Sequence, residues 1–137
     1  MQVKDSKFFD KLTHKEVNLS IGKFYFLRTF FVAELNEGVH FDWEKVTKVM
    51  AEVINYYGEN AKLAYLSNRI NSYSMNPHSW KKVHDVYGII VASAIVSYNN
   101  FGLMNATLEK NFSEKSIKRC NNLEEAIAWI YNLREFN

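Results

Sequence analysis

Short apolar segments of strand type alternate with amphipathic segments of helix type along most of this chain, and this alternation limits the folds it can adopt. Ile89–Ser97 is nearly continuous in β-branched and small residues, which is typical of a strand buried on both faces. Apolar residues between Trp43 and Tyr57 instead recur at three- and four-residue spacings, as on one face of a helix. Strands that are joined through helices become parallel by right-handed crossover. The alternation therefore predicts an α/β fold.

Two strands in direct succession open this pattern. Val17, Leu19 and Ile21 alternate with polar residues, which predicts a strand with one solvated face. Gly22 marks a tight turn, and Phe24–Leu35 then has apolar side chains on both alternating sets, as a central strand does. We expect an antiparallel hairpin whose polar first strand lies at the edge of the sheet. No pattern assigns a structure to residues 1–14.

Three more strands and four helices follow the hairpin. The predicted strands are Lys62–Ser67, Ile89–Ser97 and Ser116–Cys120, and the predicted helices are Trp43–Tyr57, Pro77–Tyr87, Phe101–Phe112 and one that begins after Asn122. Asp42 is suited to cap the first helix and Gly58 to end it. Asn122 and Glu125 form a capping box for the last helix. The predicted order is β-β-α-β-α-β-α-β-α, a mixed sheet in a single domain over residues 1–137.

The composition is that of one folded domain. Of its 137 residues, 47% are hydrophobic, and a chain of this length buries enough surface for a single core. A net charge of +2 is far from the basic surface of a nucleic-acid binder. Apolar runs are shorter than a membrane helix needs, and the single cysteine, Cys120, has no partner for an internal disulfide. We expect a cytoplasmic protein with no nucleic-acid ligand and no integral membrane segment.

The order of elements, the chain length and the closing Leu-Glu-Glu-Ala-Ile-Ala-Trp-Ile segment together resemble the SpoIIAA-like, or STAS-like, family over about Lys11 to Phe136. Anti-sigma-factor antagonists of that family carry a phosphorylated serine in an Asp-Ser-Ser-Gly-like motif after the third strand. The corresponding stretch here, Asn68 to Ser79, lacks that motif. The resemblance therefore points to the looser SpoIIAA-like branch, which includes relatives suggested to bind lipids or other apolar ligands, and it carries over no functional residue.

The most polar stretch of the chain is the candidate site. Residues 68–79 leave the carboxyl end of an inner strand and enter a helix, which is where open α/β sheets place ligands and anions. We predict a ligand- or partner-binding site at Arg69, Ser72, Tyr73, Ser74 and Ser79. The alternative, which sequence alone favours, is structural: Asn71, Ser72 and Ser74 satisfy the loop backbone, Asn76 caps the helix, and Arg69 pairs with a surface acid.

Other residues that carry chemistry form no catalytic or metal-binding pattern. His78 and His84 are six positions apart, so they lie on different helix faces, and His14 and His40 stand alone. Cys120 falls in a predicted strand, where a small core residue is expected rather than a nucleophile. The sequence also has neither a nucleophile elbow nor a phosphate-binding loop. We expect no enzyme activity, no cofactor and no metal.

Aromatic residues are concentrated in the predicted central strand and on the helices. They either fill the core, which their large buried area favours, or line an apolar ligand pocket or a homodimer face. We therefore expect a non-enzymatic cytoplasmic binding or regulatory module that acts through protein–protein interaction. The alternative is a carrier or sensor of a lipid or another apolar small molecule.

Overall fold

The computed structural model describes residues 1–6, 15–99 and 116–136. Its strands are β1 (Lys15–Leu19), β2 (Gly22–Phe26), β3 (Phe30–Leu35), β4 (His40–Phe41), β5 (Leu63–Arg69), β6 (Ser74–Met75), β7 (Ile90–Ser97) and β8 (Ser116–Cys120). Its α-helices are α1 (Trp43–Tyr57), α2 (Ser79–Val86) and α3 (Leu123–Tyr131), with 3-10 turns at Val3–Asp5 and Arg134–Phe136. The predicted helix over Phe101–Phe112 lies outside the described residues.

Six strands form one mixed sheet in the order β1-β2-β3-β5-β7-β8. The pairs β1–β2 and β2–β3 are antiparallel, whereas β3, β5, β7 and β8 run parallel to one another. β1 stands at one end of this order, so the prediction of an edge strand is confirmed. The predicted α/β class with a mixed sheet is also confirmed.

The prediction of one strand over Phe24–Leu35 is wrong, because the chain reverses at residues 27–29 to form β2 and β3. Leu27 N–H donates to the Phe30 carbonyl at 2.9 Å, and Tyr57 of α1 donates its hydroxyl to the Leu27 carbonyl at 2.5 Å. These tertiary contacts satisfy a turn that contains no glycine, proline or asparagine. Both strands are covered on both faces, so the apolar pattern continues through the turn without a break.

Gly22 is the first residue of β2 rather than part of the turn, which is a second correction. The reversal between β1 and β2 occurs at Ser20 and Ile21. Gly22 pairs with Leu35, and a Cβ atom at position 22 would collide with the Glu34 carbonyl oxygen. Glycine is therefore required here for close backbone approach.

Among the described residues, the predicted boundaries of α1 and the predicted start of α3 agree with the structure, whereas α2 is shorter than predicted and ends at Val86 rather than Tyr87. Asp42 caps α1 by accepting from Lys45 N–H at 3.1 Å, and Gly58 ends that helix at a φ of 93°. Asn122 caps α3 by accepting from Glu125 N–H at 2.8 Å. The second helix begins at Ser79, two residues later than predicted from Pro77, although the Asn76 side chain accepts from His78 N–H at 3.0 Å in the turn before it.

The two faces of the sheet are covered by different helices. Val46, Val49, Met50 and Val53 of α1 pack with Trp80 and Val83 of α2 against one face. Leu123, Ala126, Ile127 and Ile130 of α3 pack against the other face. Phe24, Tyr25, Phe26, Phe30 and Phe31 are all buried, so the aromatic residues of the strands fill the core as expected. Each such side chain contributes about 1.5–3 kcal/mol by burial.

Candidate functional site

Two loops meet at the edge of the sheet where β3 and β5 end. Residues 36–42 follow β3 and residues 70–78 follow β5, and we call them together the paired loops. Within them β4 and β6 form a two-stranded parallel sheet in which His40 lies opposite Ser74. The region predicted as a binding site is therefore built partly from a second loop that is distant in sequence.

Backbone and side-chain hydrogen bonds hold the paired loops together. Gly38 N–H donates to the Ser72 carbonyl at 2.8 Å, and Ser74 N–H donates to the Val39 carbonyl at 2.9 Å. Ser72 N–H also donates to the Glu37 carboxylate at 2.8 Å. These bonds fix the polar loop against its neighbour, so its exposed groups project from an ordered backbone.

The five predicted site residues do not share one surface. Arg69, Tyr73 and Ser79 are each only 8% exposed, Ser72 is half-buried, and Ser74 is exposed. Ser74 begins β6 and Ser72 lies two residues before it, so these two residues are close together. The side chains of Arg69 and Tyr73 face the interior. The predicted region is well placed at the sheet edge, but most of the predicted side chains face the interior.

The inward-facing residues form a compact polar group around Ser67. Its hydroxyl lies 2.6 Å from the Tyr73 hydroxyl and accepts from Arg69 Nε at 3.0 Å. The Arg69 guanidinium also lies over the Tyr73 ring at 5.0 Å from its centroid. Outside this group, Asn71 donates to the Leu35 carbonyl at 3.1 Å. The structural alternative is therefore confirmed for Asn71. The prediction that Asn76 caps the helix is wrong, because His78 occupies the N-cap position and the Asn76 side chain accepts from the His78 amide in the turn before α2.

Sequence reasoning missed a histidine in this region. His40 Nδ1 lies 2.8 Å from Ser74 Oγ across the β4–β6 pair, and both side chains are exposed. No local signal could have found this contact, because the two residues are 34 positions apart. The nearby Asp42 carboxylate is occupied by the Lys45 amide and ammonium groups, whose hydrogen bonds hold its pKa below the ordinary value. Asp42 therefore serves as a helix cap.

A second polar group lies at the same edge on the face that α3 covers. Glu34 of β3, Asn68 of β5 and Tyr98 after β7 form what we call the Glu34 cluster. Asn68 Nδ2 donates to Glu34 Oε2 at 2.6 Å, and the Tyr98 hydroxyl donates to Asn68 Oδ1 at 2.7 Å. Glu34 is 4% exposed, and Asn68 is completely buried. The sequence could have indicated this cluster, because each of the three residues lies at the carboxyl end of a strand and these ends are adjacent in a parallel sheet.

The first residues of the chain complete the Glu34 cluster. Val3 N–H donates to Glu34 Oε2 at 2.7 Å, and the Met1 carbonyl accepts from Asn68 Nδ2 at 2.8 Å. Burial raises the pKa of the Glu34 carboxyl above its ordinary value, and the hydrogen bonds from Val3 and Asn68 oppose that rise. Burial, assisted by the Glu34 charge, raises the pKa of Tyr98 to about 12.

The interior also contains an apolar cavity of about 30 Å³ between the sheet, α1 and α2. Its walls include Phe31, Tyr65, Met50, Trp80 and Val83. A volume of this size holds on the order of two water-sized groups, whereas ligand pockets begin at about 300 Å³. At this volume the cavity is too small to hold a lipid-sized ligand.

Other functional groups of the described ranges give no further site. Cys120 is buried, and burial raises the pKa of its thiol to about 11, so it is a core residue as expected. Residues 1–6, 15–99 and 116–136 contain no group of three or more His, Cys, Asp or Glu side chains that could bind a metal ion. Over the same residues, none of the helices combines the length and the apolar character needed to cross a bilayer.

A mixed six-stranded sheet with an antiparallel meander at one end and helices on both faces places this protein in the class of SpoIIAA-like folds. A crystal structure of an uncharacterized protein from the DUF3478 family, with a SpoIIAA-like fold, from Shewanella loihica PV-4, is similar to it, with a TM-score of 0.51 and 14% sequence identity. The match covers 85% of this chain and 90% of that one. Neither protein-family models nor curated protein sequences match the chain. The structural likeness confirms the predicted SpoIIAA-like fold.

Proposed function

We propose that this protein is a non-catalytic binding module that recognises a protein partner through the paired loops. The observation that carries the proposal is the β4–β6 pairing, which orders a polar surface at the sheet edge before any partner is present. Binding to an ordered surface avoids the entropy cost of fixing a loop, so affinity improves without additional contacts. This location is also where open parallel sheets most often bind ligands.

The backbone of the paired loops supports this role. Gly38 has a φ of 79°, a conformation that glycine adopts without steric cost, and it places the turn after β3 against Ser72. The exposed side chains of the paired loops include a carboxylate, a hydroxyl, an amide and two imidazoles, from Glu37, Ser74, Asn76, His40 and His78. Such a mixture of donors and acceptors suits a polar protein surface, and it lacks the positive charge that nucleic acid requires.

The geometry favours a protein partner over an apolar small molecule. A carrier would need an enclosed apolar volume, and the cavity against Trp80 measures only about 30 Å³. Binding a lipid there would require α2 to separate from α1 and from the sheet. The paired loops need no such rearrangement to meet a partner.

Site-specific photo-crosslinking tests the proposal. A photoreactive amino acid replaces Ser74 in the full chain, and a matched variant carries it at Asn55, an exposed position on α1. In cells of the source organism, we expect a discrete protein adduct from position 74 and none from position 55. The same adducts from both positions, or none from position 74, would exclude the paired loops as the binding surface.

A further inference from the structure

Glu34 is an unusual residue to find on the apolar face of a sheet. The sheet face that α3 covers carries a cluster of buried apolar side chains, which we call the α3 cluster and which includes Val32 of β3, Leu66 of β5 and Val96 of β7. The Glu34 side chain is buried on this face at the end of β3. A buried carboxylate is unfavourable unless hydrogen bonds compensate the lost hydration. The Glu34 cluster therefore requires donors that reach it at the sheet edge.

Main-chain groups of the leading segment, residues 1–6, meet this requirement. Val3 contributes its amide to Glu34, and Met1 contributes its carbonyl to Asn68, with the Tyr98 hydroxyl at 3.2 Å from the same carbonyl oxygen. Amide and carbonyl groups are common to every polypeptide. Any segment with the same backbone path can therefore make these contacts.

One side chain of the segment adds selectivity. The Val3 side chain is 3% exposed and packs in the α3 cluster, whereas Gln2 and Lys4 on either side are exposed. Gln2 has an extended backbone, with φ −71° and ψ 147°. The site thus binds three consecutive residues. The first provides its backbone carbonyl, the second can be of any type, and the third provides its backbone amide and a small aliphatic side chain.

Space for a longer segment lies next to these contacts. A cleft borders Met1, Ser6 and Tyr98 and extends to Asn122 and Leu123 at the start of α3. Met1 itself is 64% exposed, and only Val3 of the leading segment is fully buried. A segment that is held by one buried side chain and a few hydrogen bonds opens more readily than the strands beneath it.

From these contacts we propose that the Glu34 cluster is a peptide-binding site that the leading segment occupies in cis, and that a partner polypeptide segment with the same backbone path, and with a small aliphatic side chain at the position of Val3, occupies in trans. The leading segment is then a built-in competitor that sets the threshold for partner binding. This site lies on the α3 face and is separate from the paired loops, so each proposal can fail without the other.

Direct competition tests the site in the full chain. Val3→Asp places a carboxylate beside Glu34 and should release the leading segment, while Gln2→Asp adds the same charge at an exposed position and should leave it bound. The probe is a fluorescent, acetylated and amidated peptide with the sequence of residues 1–6, Met-Gln-Val-Lys-Asp-Ser. We expect it to bind the Val3→Asp chain at least about tenfold more tightly than the Gln2→Asp chain, measured by fluorescence anisotropy.

Two further arms complete the test. Asn68→Ala in the Val3→Asp background, and a probe with aspartate in place of its valine, should each weaken binding by about tenfold. In the unmodified chain, the Val3 amide should exchange with deuterium at least about a hundredfold faster than amides of β5. Equal probe binding by both chains would overturn the proposal. A Val3→Asp chain that fails to fold, or a Val3 amide that exchanges only on global unfolding, would overturn it as well, because the leading segment would then be a permanent part of the core.

Discussion

Glu34 and Asn68 are joined by a 2.6 Å hydrogen bond between the ends of two parallel strands, and both side chains are buried. This contact links the sheet to the leading segment, because Glu34 also accepts from the Val3 amide and Asn68 donates to the Met1 carbonyl. Because Glu34 and Asn68 bind both each other and the leading segment, release of that segment should also affect the stability of the fold.

Replacing Glu34 by glutamine should change how stability depends on pH. Because burial raises the pKa of Glu34 in the folded state above its value of 4.5 in the unfolded chain, the folded state holds the proton more tightly. Unfolding free energy should therefore fall as pH rises from 4.5 through the raised pKa, by at most about 1.4 kcal/mol per pH unit. Urea unfolding from pH 4 to 8 should show this fall in the unmodified chain and a weaker one in Glu34→Gln. Parallel curves would contradict the prediction.

Asn68→Ala should be strongly destabilising. It removes a donor from the buried Glu34 carboxylate and an acceptor from Tyr98, so we expect a loss of about 2–3 kcal/mol in unfolding free energy. Asn71→Ala is the matched control, because Asn71 is half-buried and its amide donates to the Leu35 carbonyl. This substitution should cost about 1 kcal/mol. Equal losses in chemical denaturation would refute the buried role of Asn68.

Alanine at two glycines should have effects of different origin. Gly38→Ala strains a backbone with φ of 79°, which should cost about 1 kcal/mol and loosen the paired loops. Gly22→Ala forces the β2 and β3 backbones apart at Glu34, so it should cost about 1–3 kcal/mol. Hydrogen exchange should locate the first effect at Ser72 and Ser74 and the second in β2 and β3. The reverse pattern would be inconsistent with these contacts.

Trp80→Ala should show how much the packing of α2 contributes to the free energy of unfolding. Trp80 is almost completely buried between Tyr65 and the helices, so its removal should cost about 3–5 kcal/mol. Val86, at the end of the same helix, is 57% exposed, and Val86→Ala should change stability by less than about 0.5 kcal/mol. Thermal and urea unfolding of both variants measure the difference.

Native mass spectrometry separates the two functional hypotheses. An apolar carrier isolated from its own source should retain a small-molecule mass, whereas the proposed protein-binding module should give the mass of the chain alone. The small volume of the cavity beside Trp80 and Met50 supports the second result. A reproducible small-molecule adduct would favour the carrier.

The sequence predicted those parts of the fold that depend on local chemistry. Asp42 and Gly58 bound α1 because capping and left-handed φ are properties of single residues and their immediate neighbours. The turn at residues 27–29 was missed because its carbonyl is satisfied by Tyr57, a partner about 30 positions away. Continuous burial on both sides of that turn also removes the polar break that marks most turns.

The site was predicted in position but not in detail. Residues 70–78 do lie at the carboxyl edge, as the strand order requires. Which side chains face outward depends on the pairing of β6 with β4. Because these strands are distant in sequence, no local pattern predicts their pairing. Tyr73 turns inward because Ser67 offers its hydroxyl a partner at 2.6 Å, while Ser74 faces outward beside His40.

Affinity for the crosslinked partner tests most directly whether the paired loops are the binding surface. Once that partner is purified, calorimetric titration compares the unmodified chain with Ser74→Arg, which places a large cation on the paired loops, and with Asn55→Arg, which places the same group on α1. If the paired loops bind the partner, we expect at least about tenfold weaker binding for Ser74→Arg and unchanged binding for Asn55→Arg. Unchanged affinity for both variants would contradict a binding surface on the paired loops.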